Sequence, residues 1–231
     1  MSITSQAVQE FRKRLQSLSG GRPVQLVAVS KTQPPERLRE AYAAGLRAFG
    51  ENYLNEALDK QAALADLPIE WHFIGPLQSN KTRSVAGHFA WVHSVDRLKL
   101  AERLSAQRPP ALPPLQVCIQ VNVSGEASKS GIAPSALPAL AHAVATLPRL
   151  RLRGLMAIPE ASTDPHLLRS RFAQLRALCG QLQAQGLALD TLSMGMSADY
   201  AQALAEGATL VRIGSALFGA RSPQTAPERT P

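Results

Sequence analysis

The residues best suited to chemistry stand at the ends of short apolar runs. Lys31 directly follows Leu26-Val27-Ala28-Val29-Ser30, so its amine is expected at the mouth of the sheet that this run joins. Lysines are rarely buried without a partner, and a partly desolvated amine loses proton affinity and becomes a nucleophile toward carbonyl carbon. Position alone leaves a second reading open, a strand-end lysine whose head group snorkels into water. Far along the chain lie Ser193-Met194-Gly195-Met196-Ser197-Ala198-Asp199 and Arg212-Ile213-Gly214-Ser215-Ala216-Leu217-Phe218-Gly219. Each supplies a glycine for close backbone approach and a serine, the composition of a turn that offers N–H groups to a phosphate. Either turn alone reads as an ordinary Gly/Ser loop. Both together, across from a reactive lysine, describe a site for an aldehyde that carries a phosphate.

These residues can meet only if the elements bearing them bring one end of each apolar run to a common face. An amphipathic helix near 5–19 ends at Gly20-Gly21. Strand-length runs follow at 25–29, 48–50, 71–74, 91–93, 116–121, 152–157, 191–193 and 210–213. Between them lie helix-period segments near 34–45, 52–65, 79–88, 96–107, 134–147, 164–185 and 198–206. Asp96, Ser135 and Asp164 are the expected N-caps, and Gly45, Gly186 and Gly207 the expected stops. Eight strands separated by helices argue for a parallel sheet, and eight is the number that closes a (β/α)8 barrel of the TIM type. An open doubly wound sheet would want a glycine-rich turn after its first strand, whereas Ser30-Lys31-Thr32-Gln33-Pro34-Pro35 holds no glycine. One α/β barrel domain over 1–221 is expected, with 222–231 a disordered tail. In such a barrel, chemistry belongs at the C-terminal ends of the strands. Lys31, Glu51-Asn52, Ser94, Asn122-Val123-Ser124, Ser193 to Ser197, Arg212 and Gly214-Ser215 all fall there, and His72 lies within the third strand.

The totals set outer bounds. At 231 residues the chain suits one large domain. No stretch approaches the roughly 18 consecutive apolar residues of a membrane helix. Met1-Ser2-Ile3-Thr4-Ser5-Gln6 lacks the basic and apolar regions of a signal peptide, so a cytoplasmic protein with no membrane partner is expected. Cys118 and Cys179 stand far apart, outside any C-x-x-C pattern, and are expected to be buried, inert thiols. The five histidines show no metal spacing, so no metal site is expected. A net charge of +8 raises nucleic acid as a partner. Yet the basic residues are scattered, and the densest stretch, Arg149-Leu150-Arg151-Leu152-Arg153, suits the approach to a strand. With aromatics at 5%, only weak, salt-sensitive association would follow, and nucleic acid is not expected to be a functional partner.

Longer segments carry a resemblance. Val27-Ala28-Val29-Ser30-Lys31-Thr32, Phe49-Gly50-Glu51-Asn52-Tyr53, Trp71-His72-Phe73-Ile74-Gly75-Pro76-Leu77-Gln78-Ser79-Asn80-Lys81 and His93-Ser94-Val95-Asp96 are joined by Gln120-Val121-Asn122-Val123 and Lys129-Ser130-Gly131. Arg153-Gly154-Leu155-Met156-Ala157-Ile158-Pro159, Leu192-Ser193-Met194-Gly195-Met196-Ser197 and Val211-Arg212-Ile213-Gly214 complete the set. In this order the sequence resembles the pyridoxal phosphate homeostasis proteins, the YggS/PROSC family, which look like the barrel half of fold-type III enzymes such as alanine racemase. The resemblance implies pyridoxal 5′-phosphate (PLP) as cofactor, held as a Schiff base on Lys31. It implies that Ser197, Gly214 and Ser215 hold the phosphate, that Arg212 faces the pyridine nitrogen, and that Asn52 and Met194 line the ring pocket. Ser215 departs from the more usual threonine but keeps the hydroxyl. His72 reads as a satisfied core histidine, Lys129 as part of a loop after the fifth strand, and Met156, Met194 and Met196 as pocket walls.

An arginine stays protonated, so at the ring nitrogen it can only donate and discourages protonation there. That weakens the electron sink used in carbanion chemistry. Racemisation also needs an acid/base group on each face of the substrate carbon. In fold-type III racemases the second is a tyrosine from an added β domain, and Tyr42, Tyr53 and Tyr200 lie in no such module. The resemblance therefore implies a role in intracellular vitamin B6 balance, buffering PLP or delivering it to PLP-dependent apoenzymes, with indirect effects on amino-acid and keto-acid pools. Robust catalysis is not expected, and a monomer is. The alternatives are a weak PLP-dependent amino-acid racemase and a basic nucleic-acid-associated module.

Overall fold

The computed structural model describes residues 5–126 and 130–219. Helix α1 (Ser5–Leu18) precedes eight parallel strands, β1 (Gln25–Val29), β2 (Ala48–Glu51), β3 (Glu70–Phe73), β4 (Trp91–Val95), β5 (Leu115–Gln120), β6 (Leu150–Met156), β7 (Thr191–Ser193) and β8 (Leu210–Ile213). The helices between them are α2 (Pro35–Ala43), α3 (Leu54–Ala63), α4 (Thr82–His88), α5 (Leu98–Gln107), α6 (Leu137–Ala145), α7 (Pro165–Ala184) and α8 (Tyr200–Ala205), and α9 (Ser215–Phe218) follows β8. The strands pair in sequence order and close, β1 against β8, in the register Gln25 to Leu210 through Ala28 to Ile213. This is the expected (β/α)8 barrel.

Strand side chains alternate between two faces, and the two faces here bury different chemistry. Leu26, Ala28, Val211 and Ile213 belong to the large apolar core between strands and helices. Val27, Ala48 and Leu210 form one small separate cluster, and Trp91, Cys118 and Met156 another. Arg212 shares the inward face of β8 with Leu210. The barrel interior is therefore partly polar, holding His72, His93, Ser193 and Arg212, each at most 3% exposed.

Local chemistry explains the element ends. Asp164 caps α7 by accepting from the His166 N–H at 2.8 Å, as expected, and Gly45, Gly186 and Gly207 adopt positive φ after α2, α7 and α8. Two caps are corrected. Asp96 pairs with Arg97 at 2.7 Å instead, and Arg97 takes the N-cap position of α5 without a side-chain bond. Ser135 lies in a 3₁₀ turn over Pro134–Ala136, ahead of α6. A proline stands in the first turn of α6, where its missing N–H removes one of the donors a cap would serve. Helix α9 was not expected, because four residues are too few to show a period.

The tail at 222–231 and Lys129 lie outside the described residues. No described helix is long and apolar enough to cross a membrane.

Candidate functional site

Lys31 is half-buried in the turn after β1, and that turn is tied down from behind. The Ser30 N–H donates to Gly50 O at 3.0 Å, and the Ser30 hydroxyl donates to Glu51 Oε1 at 2.6 Å. Lys60 of α3, 3% exposed, donates to Ser30 O at 2.7 Å, Glu51 Oε1 at 2.8 Å and Glu56 Oε1 at 2.5 Å. Glu56 Oε1 also accepts the Thr32 N–H at 2.5 Å. Thr32 has φ 64°, a left-handed conformation that a β-branched residue keeps only when its surroundings impose it. One buried ammonium and two carboxylates thus fix the backbone on both sides of Lys31. Burial pushes the Glu51 carboxyl above its usual range, and Lys60 partly opposes this.

The turn after β7 meets the turn after β8. Gly195 has φ 93°, and a Cβ there would come within 2.7 Å of Ala203 Cβ, so only glycine fits. Asp199 Oδ1 accepts the Met196 N–H at 2.5 Å and closes the loop. The Ser197 hydroxyl accepts from the N–H groups of Gly214 at 3.3 Å and Ala216 at 3.4 Å. Both bonds are long, so these amides are gathered around one oxygen without being strongly committed to it. A small recess of about 30 Å³ between Val29, Lys31, Gln33, Gly214, Ser215 and Phe218 joins this cradle to the lysine.

Arg212 reaches the same end from inside the barrel. Its Nη1 donates to Ser193 O and Ser193 Oγ, both at 2.7 Å, and its Nη2 donates to Ala157 O at 3.0 Å. Of the five N–H donors on a guanidinium, two remain. Burial brings its pKa down to about 10, with Asp199 opposing, so it stays a cation at neutral pH.

Behind Arg212 runs a chain of hydrogen bonds, buried as far as His72 and ending at the partly exposed Glu70. Ser193 Oγ lies 2.7 Å from His93 Nδ1, His93 Nε2 lies 2.9 Å from His72 Nδ1, and His72 Nε2 lies 2.8 Å from Glu70 Oε1. Burial lowers both histidine pKa values, His93 well below the usual 6.5, and the neighbouring His72 and Arg212 lower His93 further. The His72 hydrogen bond holds Glu70 below its usual range. Ionised Glu70 can only accept, which fixes every hydrogen: Arg212 donates to Ser193, Ser193 to His93, His93 Nε2–H to His72, and His72 Nε2–H to Glu70. His72 is the satisfied core histidine expected.

The remaining candidates divide. Asn52 lies beside Glu51 at the end of β2, and Asn52 Oδ1 and Glu51 Oε2 are buried atoms without a hydrogen-bond partner among the described residues. Met194 is fully buried in the apolar core. Ser94 donates to Gly75 O at 2.6 Å, a structural bond. Ser124 and Glu160 join through a short hydrogen bond. Both cysteines are buried, with thiols pushed up to about 12 and about 11 by burial, and no cluster of metal-ligating side chains occurs among the described residues. Sequence reasoning missed Lys60 and His93. An available signal was Glu56 and Lys60, four apart on one helix face.

The chain is similar to known proteins over most of its length. The profile of the alanine racemase N-terminal domain matches residues 3–222. A pyridoxal phosphate homeostasis protein of Pseudomonas aeruginosa is 69% identical over 198 residues, covering 86% of this chain and 85% of its own. One from Escherichia coli K12 is 53% identical over 201 residues, 86% of each chain. The solved structure of PipY from Synechococcus elongatus with PLP bound superposes with a TM-score of 0.80 at 46% identity, covering 90% of this chain and 99% of that one. Alanine racemase from Corynebacterium glutamicum superposes with a TM-score of 0.73 at 17% identity, over 95% of this chain and 63% of that one, which shows the fold alone.

Proposed function

The chain belongs to the pyridoxal phosphate homeostasis proteins, a family built on the alanine racemase N-terminal domain, and on that basis we propose that it binds PLP at the C-terminal mouth of its barrel. Lys31 holds the aldehyde as a Schiff base, and the protein buffers PLP or delivers it to apoenzymes in the cytoplasm. It works as a monomer. The observation that carries this reading is the convergence of Lys31, the cradle around Ser197 and buried Arg212 on one mouth.

The residues fit the cofactor. The loosely held amides of Gly214 and Ala216, with the hydroxyls of Ser197 and Ser215, are the donors a phosphate requires. Arg212 keeps two N–H groups for the ring nitrogen, and Asn52 Oδ1 is an acceptor still to be satisfied. Asn52 forms a pocket wall, and Met194 backs it from the core. When bound, PLP supplies an electrophilic aldehyde and a ring that can draw electrons from an attached carbon. Arg212 restrains that second capacity, since a permanent cation donates and discourages protonation at the ring nitrogen. Lys31 presents an amine on a turn that Lys60, Glu51 and Glu56 keep in place. This supports holding over turnover.

The test is the visible spectrum of purified protein mixed with PLP, before and after borohydride. A Schiff-base band, fixed by reduction and mapped to the peptide carrying position 31, is expected, and Lys31→Ala loses it. A protein that stays colourless, with no adduct at that position, would overturn the reading.

A further inference from the structure

The opposite mouth of the barrel also carries a cleft, of about 640 Å³, between α1 and the first residues of β1, β2 and β3. Three arginines line it, Arg12, Arg22 and Arg47, against one acid, Glu70. Each guanidinium is anchored by backbone carbonyls. Arg12 Nη2 donates to Gly45 O at 2.8 Å, and Arg22 Nη2 to Leu204 O at 2.7 Å. Arg47 Nη1 donates to Tyr42 O at 2.7 Å and Leu46 O at 2.8 Å, with its guanidinium 3.9 Å from the Tyr42 ring centroid. A neutral acceptor restrains an arginine without cancelling its charge. Arg39, Arg153, Arg169 and Arg171, by contrast, all pair with carboxylates.

Glu70 does not neutralise the cleft arginines either. Its Oε1 takes Gln25 Nε2 and His72 Nε2, both at 2.8 Å. The cleft therefore keeps an excess of two positive charges, on head groups whose position is set and most of whose N–H donors are unspent. Carboxylate and phosphate groups are the natural partners of such forks.

We propose that this cleft is a second ligand site, for a small molecule carrying two or more negative charges on phosphate or carboxylate groups. The inference is independent of the cofactor reading and uses none of its residues.

Isothermal titration of PLP-loaded protein with pyrophosphate, and separately with citrate, at ionic strength fixed with sodium chloride, tests it and tells phosphate from carboxylate chemistry. Saturable binding of at least one probe is expected, with the visible cofactor band unchanged. Arg12→Gln and Arg47→Gln should each weaken it about tenfold or more, the scale of one charge-assisted hydrogen bond. Arg39→Gln, which removes the same charge elsewhere, should leave it unchanged. Arg12→Lys and Arg47→Lys keep the charge without the fork, should lose less, and decide the matter if the Gln variants do not fold. No saturable binding of either probe, an equal loss in Arg39→Gln, or bleaching of the cofactor band in step with the heat would overturn the proposal. A protein that never takes up PLP sinks the cofactor reading alone, because the same titration on the unloaded chain still tests this cleft.

Discussion

Two ion clusters show how individual side chains set the terms of the site. Lys60 is nearly inaccessible and donates to Glu51 Oε1, Glu56 Oε1 and Ser30 O at once. Removing one member of a buried ion pair strands the others, so Lys60→Met should destabilise the protein by about 3–5 kcal/mol in urea unfolding. Glu160 works with the opposite sign of shift from Glu51. Hydrogen bonds from Arg171, then from Ser124, hold its carboxyl down to about 2. A carboxyl depressed in the folded state contributes stability that is complete above its unfolded value, about 4.5, and drains away as pH falls toward 2. Thermal melts between pH 5 and 2.5 should show a shallower acid limb in Glu160→Gln than in the parent, and coincident limbs would count against it. Such residues were hard to see from sequence. Lys31, Ser197 and Arg212 announce themselves by standing where apolar runs stop, but of the partners of Lys60 only Glu56 shares its helix at i,i+4 spacing, and no spacing rule joins it to Ser30 or Glu51.

Strands and turns were the legible level. The β1, β7 and β8 limits match the hydrophobic runs, and the other strands shift by one or two residues because the run and the hydrogen-bonded ladder need not end together. What the pattern concealed is what the strands carry inward. His72 on β3, His93 on β4, Ser193 on β7 and Arg212 on β8 are far apart in the chain and meet only when the barrel closes. Two expectations belong to this level. Both imidazoles should stay neutral, with the proton on Nε2, from pH 8 down past 6.5, as read by nitrogen chemical shifts. The unfolded histidines take up protons below about 6.5 while the folded ones do not, so this pair costs stability as pH falls through that window. His93→Leu leaves Ser193 and His72 each short of a buried partner and should cost about 1–3 kcal/mol, measured by the urea midpoint at pH 7.

On the scale of the whole molecule, the barrel separates two mouths of different character. One gathers an amine, a cradle of amides and a buried cation, and the other an arginine-lined cleft. If PLP binds only the folded protein, it must stabilise it by mass action. At a free concentration one hundred times its dissociation constant the gain is about 2.7 kcal/mol. The melting temperature should therefore rise with added PLP in the parent protein and much less in Lys31→Ala.

The one-way orientation of the chain from Arg212 to Glu70 has a consequence for the distance over which a surface change is felt. Because each imidazole carries a single proton, the three links from Ser193 to Glu70 can turn round only together, while the guanidinium goes on donating. An amide in place of Glu70 could offer either an oxygen or an N–H to His72, and the lock would be gone. A conservative replacement at one rim would then free the Ser193 hydroxyl, four strands away, to point either way beside the guanidinium at the other.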